Sequence, residues 1–122
     1  MHLLTLESNF VDNRGLIRDL ITDQVDAITE ITFIAGAVRG NHVHNDTTQW
    51  SYIVEGKLLM ATLLNGKEIK SIEVSQGDLL VSLPGEPHAF RAIIDSKILV
   101  FTKGPRSGAN YKEDTIFIKV LE

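Results

Sequence analysis

The 122-residue sequence predicts an all-β domain, a sandwich or a barrel, on three observations. Short segments rich in β-branched and aromatic residues recur along the chain at the spacing of successive strands. Glycine, proline and asparagine punctuate the gaps between them. Helical signals are scarce, and the one short run open to that reading, "VDAITEI", is too rich in Ile and Thr to favour a helix.

The strands are read in order. "AITEITFIA" (27–35) comes first, closed by Gly36, and "QWSYIVE" (49–55) runs up to Gly56. "KLLMATLL" (57–64) leads into Asn65-Gly66, the strongest hairpin signal in the chain, because both residues tolerate the positive φ of a type I′ turn. That turn is expected to join 57–64 to 67–74. "DLLVSL" (78–83), "FRAII" (90–94) and "KILVF" (97–101) follow, and "TIFIKVLE" (115–122) reads as a last strand closing the sheet. Residues 104–110 read as a loop. Leu63-Leu64 and Leu79-Leu80-Val81 are apolar on successive residues, as expected where both faces of a sheet are covered.

No linker, repeat or low-complexity tract divides the chain, so residues 1–122 are read as one domain. A net charge of −4 leaves no basic surplus to replace counterions on phosphates, which argues against nucleic acid as a partner. With no cysteine, thiolate metal sites and disulfides are excluded. The first residues lack a basic stretch leading into a long apolar one, and no apolar run approaches the roughly 18 residues that span a bilayer. A soluble, cytoplasmic protein without a membrane partner is the expectation.

The chemistry concentrates in "GNHVHNDTTQW" (40–50). On a strand, residues i and i+2 share a face, so His42 and His44 point the same way and can both reach one cation. A turn through residues 45–48 would bring the Gln49 amide oxygen toward the same point. His88 follows the rigid turn Pro84-Gly85-Glu86-Pro87 and feeds another strand. Three neutral imidazoles and an oxygen are a workable ligand set for divalent Zn, Fe, Mn, Ni or Co. Because Gln stands where a carboxylate would neutralise charge, a bound ion would keep its full 2+ charge. Alternatively, Gln49 orients His42 or His44 by hydrogen bonding.

The spacing Gly36-x5-His42-x-His44-x4-Gln49-x6-Gly56 resembles the first cupin motif throughout, with Gln at the usual Glu. "GDLLVSLPGEPHAF" (77–90) is similar to the second cupin motif, read here over 77–92; Leu83 stands at its expected proline and Ala92 at its late Asn. The resemblance covers residues 28–102. It implies a double-stranded β-helix, a jelly-roll barrel with the site inside its mouth.

Two further likenesses narrow the field. "FVDNRG" (10–15) is similar to the Phe-x-Asp-x-Arg-Gly opening of cupins that act on nucleotide-linked keto sugars. "RGNHVH" (39–44), followed by Gln49, resembles the Arg-Gly-x-His-x-His…Gln signature of the sugar-nucleotide 3,4-ketoisomerases. That family implies His42 and His44 as acid and base on a 4-keto-6-deoxy sugar, with no metal required. Moving a ketone to the next carbon takes a proton off one carbon and returns one to another, and an imidazole can do both. Arg39 would grip a phosphate or the developing enolate oxygen. The alternatives are a metal-dependent cupin of another class, such as a dioxygenase or small-molecule isomerase, and a non-catalytic cupin that binds a sugar or other metabolite.

Strand parity sorts the neighbours. Phe90 shares the face of His88 and Ser51 the face of Gln49, which makes them the candidate substrate contacts, plain core packing being the other reading for Phe90. Tyr52 has the wrong parity for the site. Arg91 should lie at the surface, Asp12 and Arg14 should form an ion pair at a turn, and Trp50 should look outward, into the interface of a homodimer.

Overall fold

The computed structural model describes residues 1–105 and 112–122. Among the described residues are twelve strands: β1 His2–Leu3, β2 Phe10–Asp12, β3 Gly15–Ile17, β4 Ala27–Phe33, β5 Val38–His44, β6 Thr48–Glu55, β7 Lys57–Leu64, β8 Glu68–Ser75, β9 Leu79–Ser82, β10 His88–Ala92, β11 Ser96–Lys103 and β12 Thr115–Phe117. Two five-stranded sheets, in the orders β1-β9-β6-β11-β4 and β12-β5-β10-β7-β8, make the all-β jelly roll, and β2–β3 forms a separate hairpin. Most of the loop read over 104–110 lies outside the described residues. No helix among them is long and apolar enough to cross a membrane.

Asn65 and Gly66 adopt φ of 53° and 70°, and Lys67 N–H donates to the Leu64 carbonyl at 3.1 Å, so the predicted I′ turn joins β7 to β8. Both-face burial holds for Leu79-Leu80-Val81, where Leu80 enters the inner core and Leu79 and Val81 pack on the outer face with Trp50. It fails at Leu64, which is 42% exposed beside the turn.

Each inner face grades from polar to apolar along its strands. On β6 the inward residues run Gln49, Ser51, Ile53, paired in register with Thr102, Val100 and Ile98 of β11. On β10 they run His88, Phe90, Ala92, the last two opposite Met60 and Leu58 of β7. The apolar end therefore closes as a core of Ile53, Leu58, Met60, Val74, Leu80 and Ile98, each at most 1% exposed. Burial of one such side chain stabilises the fold by about 1.5–3 kcal/mol. The polar end instead lines a cavity.

Part of each outer face is covered by segments outside the two sheets. Trp50 does look outward, but Leu6, Leu20 and Ile21 pack against its cluster and leave it 8% exposed, so it offers no surface for a second subunit. On the other sheet, Val120 and Leu121 cover Ala61 and Ala89. This corrects the reading of 115–122 as one long strand. Ladder pairing with β5 ends at Phe117, Ile118 N–H makes one further bond to the Asn41 carbonyl, and Val120 and Leu121 make apolar contact across the sheet face.

Candidate active site

His42 and His44 leave β5 on the inner face, and His88 opens β10 opposite His42. Their ring centroids are 4.6 Å apart for His42–His44 and His42–His88, and 5.4 Å for His44–His88. One ligand nitrogen from each lies within 4.8 Å of the others. They share a cavity of about 90 Å³ with Arg39, Thr47, Gln49 and Thr102 on its polar side, and Ile31, Phe33, Phe90 and Val100 on its apolar side. The turn Pro84–Pro87 is fastened to this end by Gly85 N–H, which donates to the His44 carbonyl at 2.8 Å.

The three histidines are not equivalent. His88 is 2% exposed, and its Nε2 faces the Nε2 of His42 at 2.9 Å. Burial, reinforced by repulsion from His42 and His44, pushes its pKa down to about 3. At neutral pH it is uncharged and too weak a base to take a proton from carbon.

His44 Nδ1 lies 3.1 Å from the Thr115 hydroxyl and 3.4 Å from a carboxylate oxygen of Asp114. That carboxylate is 1% exposed and also accepts from Asp46 N–H and from the Thr47 hydroxyl. A buried carboxylate beside Nδ1 favours the tautomer with the proton on Nδ1, which puts the basic lone pair on Nε2. Asp114 and Thr115 arrive with β12, antiparallel to β5, and Thr115 pairs with His44 in register. Sequence reasoning missed Asp114. It lies 70 residues from its partner, and no local spacing marks the relation.

Arg39 reaches the cavity by an irregularity. Phe90 and His88 are two residues apart on β10, whereas their partners Arg39 and His42 are three apart on β5. The extra residue is a β-bulge at Gly40–Asn41, with φ of 93° and 57°. A Cβ at Gly40 would lie 2.9 Å from the His88 carbonyl oxygen, so the close approach of β5 to β10 requires glycine there. The Arg39 guanidinium stands 5.6 Å over the Phe33 ring, and its Nε donates to the Thr32 carbonyl at 3.3 Å.

Gln49 donates through Nε2 to the Ser51 hydroxyl at 3.2 Å. Ser51, expected as a substrate contact, is 1% exposed, accepts this bond from Gln49 and is not among the residues lining the cavity. Phe90 does form cavity wall, edge-on to Phe33 with centroids 6.0 Å apart. Tyr52 faces away and packs with Trp50. Arg91 lies off the cavity, donating to the Glu122 carbonyl. Asp12 and Arg14 form the expected ion pair, 2.6 Å, in a groove of the β2–β3 hairpin.

The three histidines could hold a metal ion. Two Nε2 atoms at 2.9 Å match cis ligands about 2.0–2.1 Å from one ion at a right angle. An uncharged His88 and a His44 oriented by a carboxylate suit ligation as well. When bound, such an ion would polarise a ligand oxygen.

The fold is a jelly roll whose polar mouth gathers three histidines that could hold a metal, a glutamine and an arginine. The Cupin family model matches residues 24–112, and the chain belongs to the cupin family. No curated protein matches the sequence. Among solved structures, the chain is similar to a 3,4-ketoisomerase from Helicobacter canadensis, at TM-score 0.78 and 20% identity over 94% of this chain and 88% of that one. The sugar 3,4-ketoisomerase QdtA from Thermoanaerobacterium thermosaccharolyticum, solved with TDP, gives TM-score 0.76 and 18% identity, with 94% and 85% covered. The capsular polysaccharide assembling protein CapF from Staphylococcus aureus gives 0.71 and 23%, covering 95% of this chain but only 35% of CapF. The chain thus spans about a third of CapF's length. At these identities the likeness is one of fold.

Proposed function

We propose that this cupin moves protons on a nucleotide-linked keto sugar, with His44 as the acid–base group. The observation that carries the reading is the placement of Asp114 and Thr115 at Nδ1 of His44, beside a cavity lined by Arg39. His44 Nε2 takes the proton from the carbon next to the ketone, and the C–H electron pair forms the enolate double bond while the carbonyl pair moves to oxygen. The oxygen is protonated, the neighbouring hydroxyl loses its proton, and a proton returns to the former carbonyl carbon. The ketone has then shifted by one carbon with atoms and charge balanced. Asp114 stabilises the imidazolium formed midway.

Volume supports the division of labour. The cavity has room for on the order of six waters, the scale of one sugar ring, so the nucleotide and its phosphates lie outside, at the mouth where Arg39 stands. The structural likeness to 3,4-ketoisomerases agrees with this reading. A homodimer and a cytoplasmic location belong to it as well. With Trp50 covered, one apolar surface suited to self-association among the described residues is the β2–β3 hairpin, where Phe10, Val11, Leu16 and Ile17 are each more than half exposed.

The test is deuterium incorporation from solvent into TDP-4-keto-6-deoxyglucose and related 4-keto sugars, followed by NMR. Exchange that disappears in His44→Ala is the expected result, and no exchange on any such sugar sinks the reading. A second reading, a metal-dependent cupin of another class such as a dioxygenase or small-molecule isomerase, is favoured by the cis-ligand spacing of His42 and His88. One equivalent of tightly held metal in protein purified without additives, with no exchange, would select it.

A further inference from the structure

Asn41 is the extra residue of the β5 bulge, and every polar atom of its side chain is engaged by the C-terminal tail. Its Oδ1 accepts from Val120 N–H and Leu121 N–H, both at 2.8 Å, and its Nδ2 donates to the Leu121 carbonyl at 2.9 Å. Its backbone carbonyl accepts from Ile118 N–H at 2.8 Å. The residue sits at φ 57°, a left-handed conformation that asparagine adopts more readily than other side-chain-bearing residues.

A bulge reverses strand parity. Without the extra residue, a side chain three positions before His42 would face the outer side of the sheet, where Val120 and Leu121 pack on Ala61 and Ala89. With it, Arg39 shares the inner face of the histidines and reaches Phe33 and Thr32 on the opposite sheet. Among the described residues, its two terminal guanidinium nitrogens make no hydrogen bond, and they stand exposed at the mouth.

We propose that Asn41, clamped by the tail, is a positioning residue that sets Arg39 at the mouth as the anchor for the substrate's phosphates. The identity of the anion rests on the sugar-nucleotide reading; the placement of Arg39 does not. The tail thereby joins the site: its last residues cover the sheet and also fix which face the arginine occupies.

The test uses Asn41→Gly, which keeps the positive φ and removes the clamp, and Asn41→Asp, which keeps the two acceptor bonds and loses the donor. Two readouts apply to the full chain, with folding checked by circular dichroism. The first is the NMR signal of the Arg39 Nε–H, assigned by its loss in Arg39→Gln and expected to be displaced in the native protein by the Phe33 ring and the bond to the Thr32 carbonyl. It should move to the ordinary position of a solvated arginine in Asn41→Gly, and part of the way in Asn41→Asp. The second is calorimetric binding of thymidine diphosphate. Asn41→Gly and Arg39→Gln should each weaken it about tenfold or more, and the double variant should bind no worse than Arg39→Gln alone. An unmoved Arg39 signal overturns the proposal, as do effects of the two substitutions that multiply. If the native protein does not bind thymidine diphosphate, the sugar-nucleotide reading falls and the Arg39 signal alone decides. Should Asn41→Gly fail to fold, the graded response of Asn41→Asp decides in the same way.

Discussion

Asp114 places a carboxylate oxygen 3.4 Å from Nδ1 of His44, with the acid 1% exposed and the histidine's side chain 8% exposed. Asp114 immediately precedes β12, which lies beside β5 in the sheet though far from it in the chain. Asp114→Asn keeps an oxygen for the Thr47 hydroxyl or the Asp46 amide, so the turn between β5 and β6 should survive. Loss of the negative charge should slow solvent exchange into a keto-sugar substrate on the order of 10²–10⁴-fold. Binding of thymidine diphosphate should change far less, since Arg39 is untouched. An exchange rate equal to the native one removes Asp114 from the mechanism.

Metal uptake separates ligation from proton shuttling. Chelator-treated protein is expected to take up one equivalent of Co²⁺ or Ni²⁺ by equilibrium dialysis, and His88→Ala to take up none, because His88 supplies one of three clustered nitrogens. At a free metal concentration 100 times Kd the fold should gain about 2.7 kcal/mol, visible as a raised Tm. Loading should also suppress solvent exchange into the sugar, because a coordinated imidazole has no lone pair to offer. Full exchange activity in the loaded protein would show that His44 is not a ligand.

His88 gives stability a pH signature in the metal-free protein. Its folded pKa is lowered to about 3, while an unfolded histidine titrates near 6.5. Between those values the unfolded chain binds a proton that the folded one does not. Stability from this group is therefore flat above about pH 7 and falls as pH drops from about 6.5 toward 3, by up to about 1.4 kcal/mol per pH unit. Carboxylates add their own slopes, so the measurement is the difference between native and His88→Gln in urea denaturation from pH 7 to pH 4. Equal slopes would mean that His88 is protonated inside the fold.

Gly56 joins β6 to β7 at φ 99°, and a Cβ there would lie 2.6 Å from both Cα and Cβ of Ser96. Gly56→Ala should cost about 1–2 kcal/mol in backbone strain and more in the clash, lowering Tm by several degrees. Adding Ser96→Ala should not rescue it, because the Ser96 Cα remains in the way and the Ser96 hydroxyl that holds Lys57 N–H is lost. Full rescue would show that the hydroxyl alone was the obstacle.

Much of the site was legible before folding because strand parity is a local property. His42 with His44, Gln49 with Ser51 and Ile53, and His88 with Phe90 all share faces as a period of two requires. Motif spacing also pairs His88 with the other two histidines across the sheet. Parity gives the face and not the depth: Ser51 faces inward and bonds to Gln49 without lining the cavity. Gly40-Asn41 carried a readable bulge signal, two residues tolerant of positive φ in the middle of a strand.

Taken alone, the sequence determined the all-β architecture, the hairpin at Asn65-Gly66, and the histidine set, because turn chemistry and side-chain alternation act over a few residues. Only the tertiary structure decided what stands behind those residues. It set Asp114 at His44, laid the tail over Ala61 and Ala89 where a strand was expected, and covered Trp50 with Leu6, Leu20 and Ile21. Which segment covers an outer face, and which acid meets which base, follows from sheet order and chain crossing. Those are long-range contacts, and no local pattern encodes them.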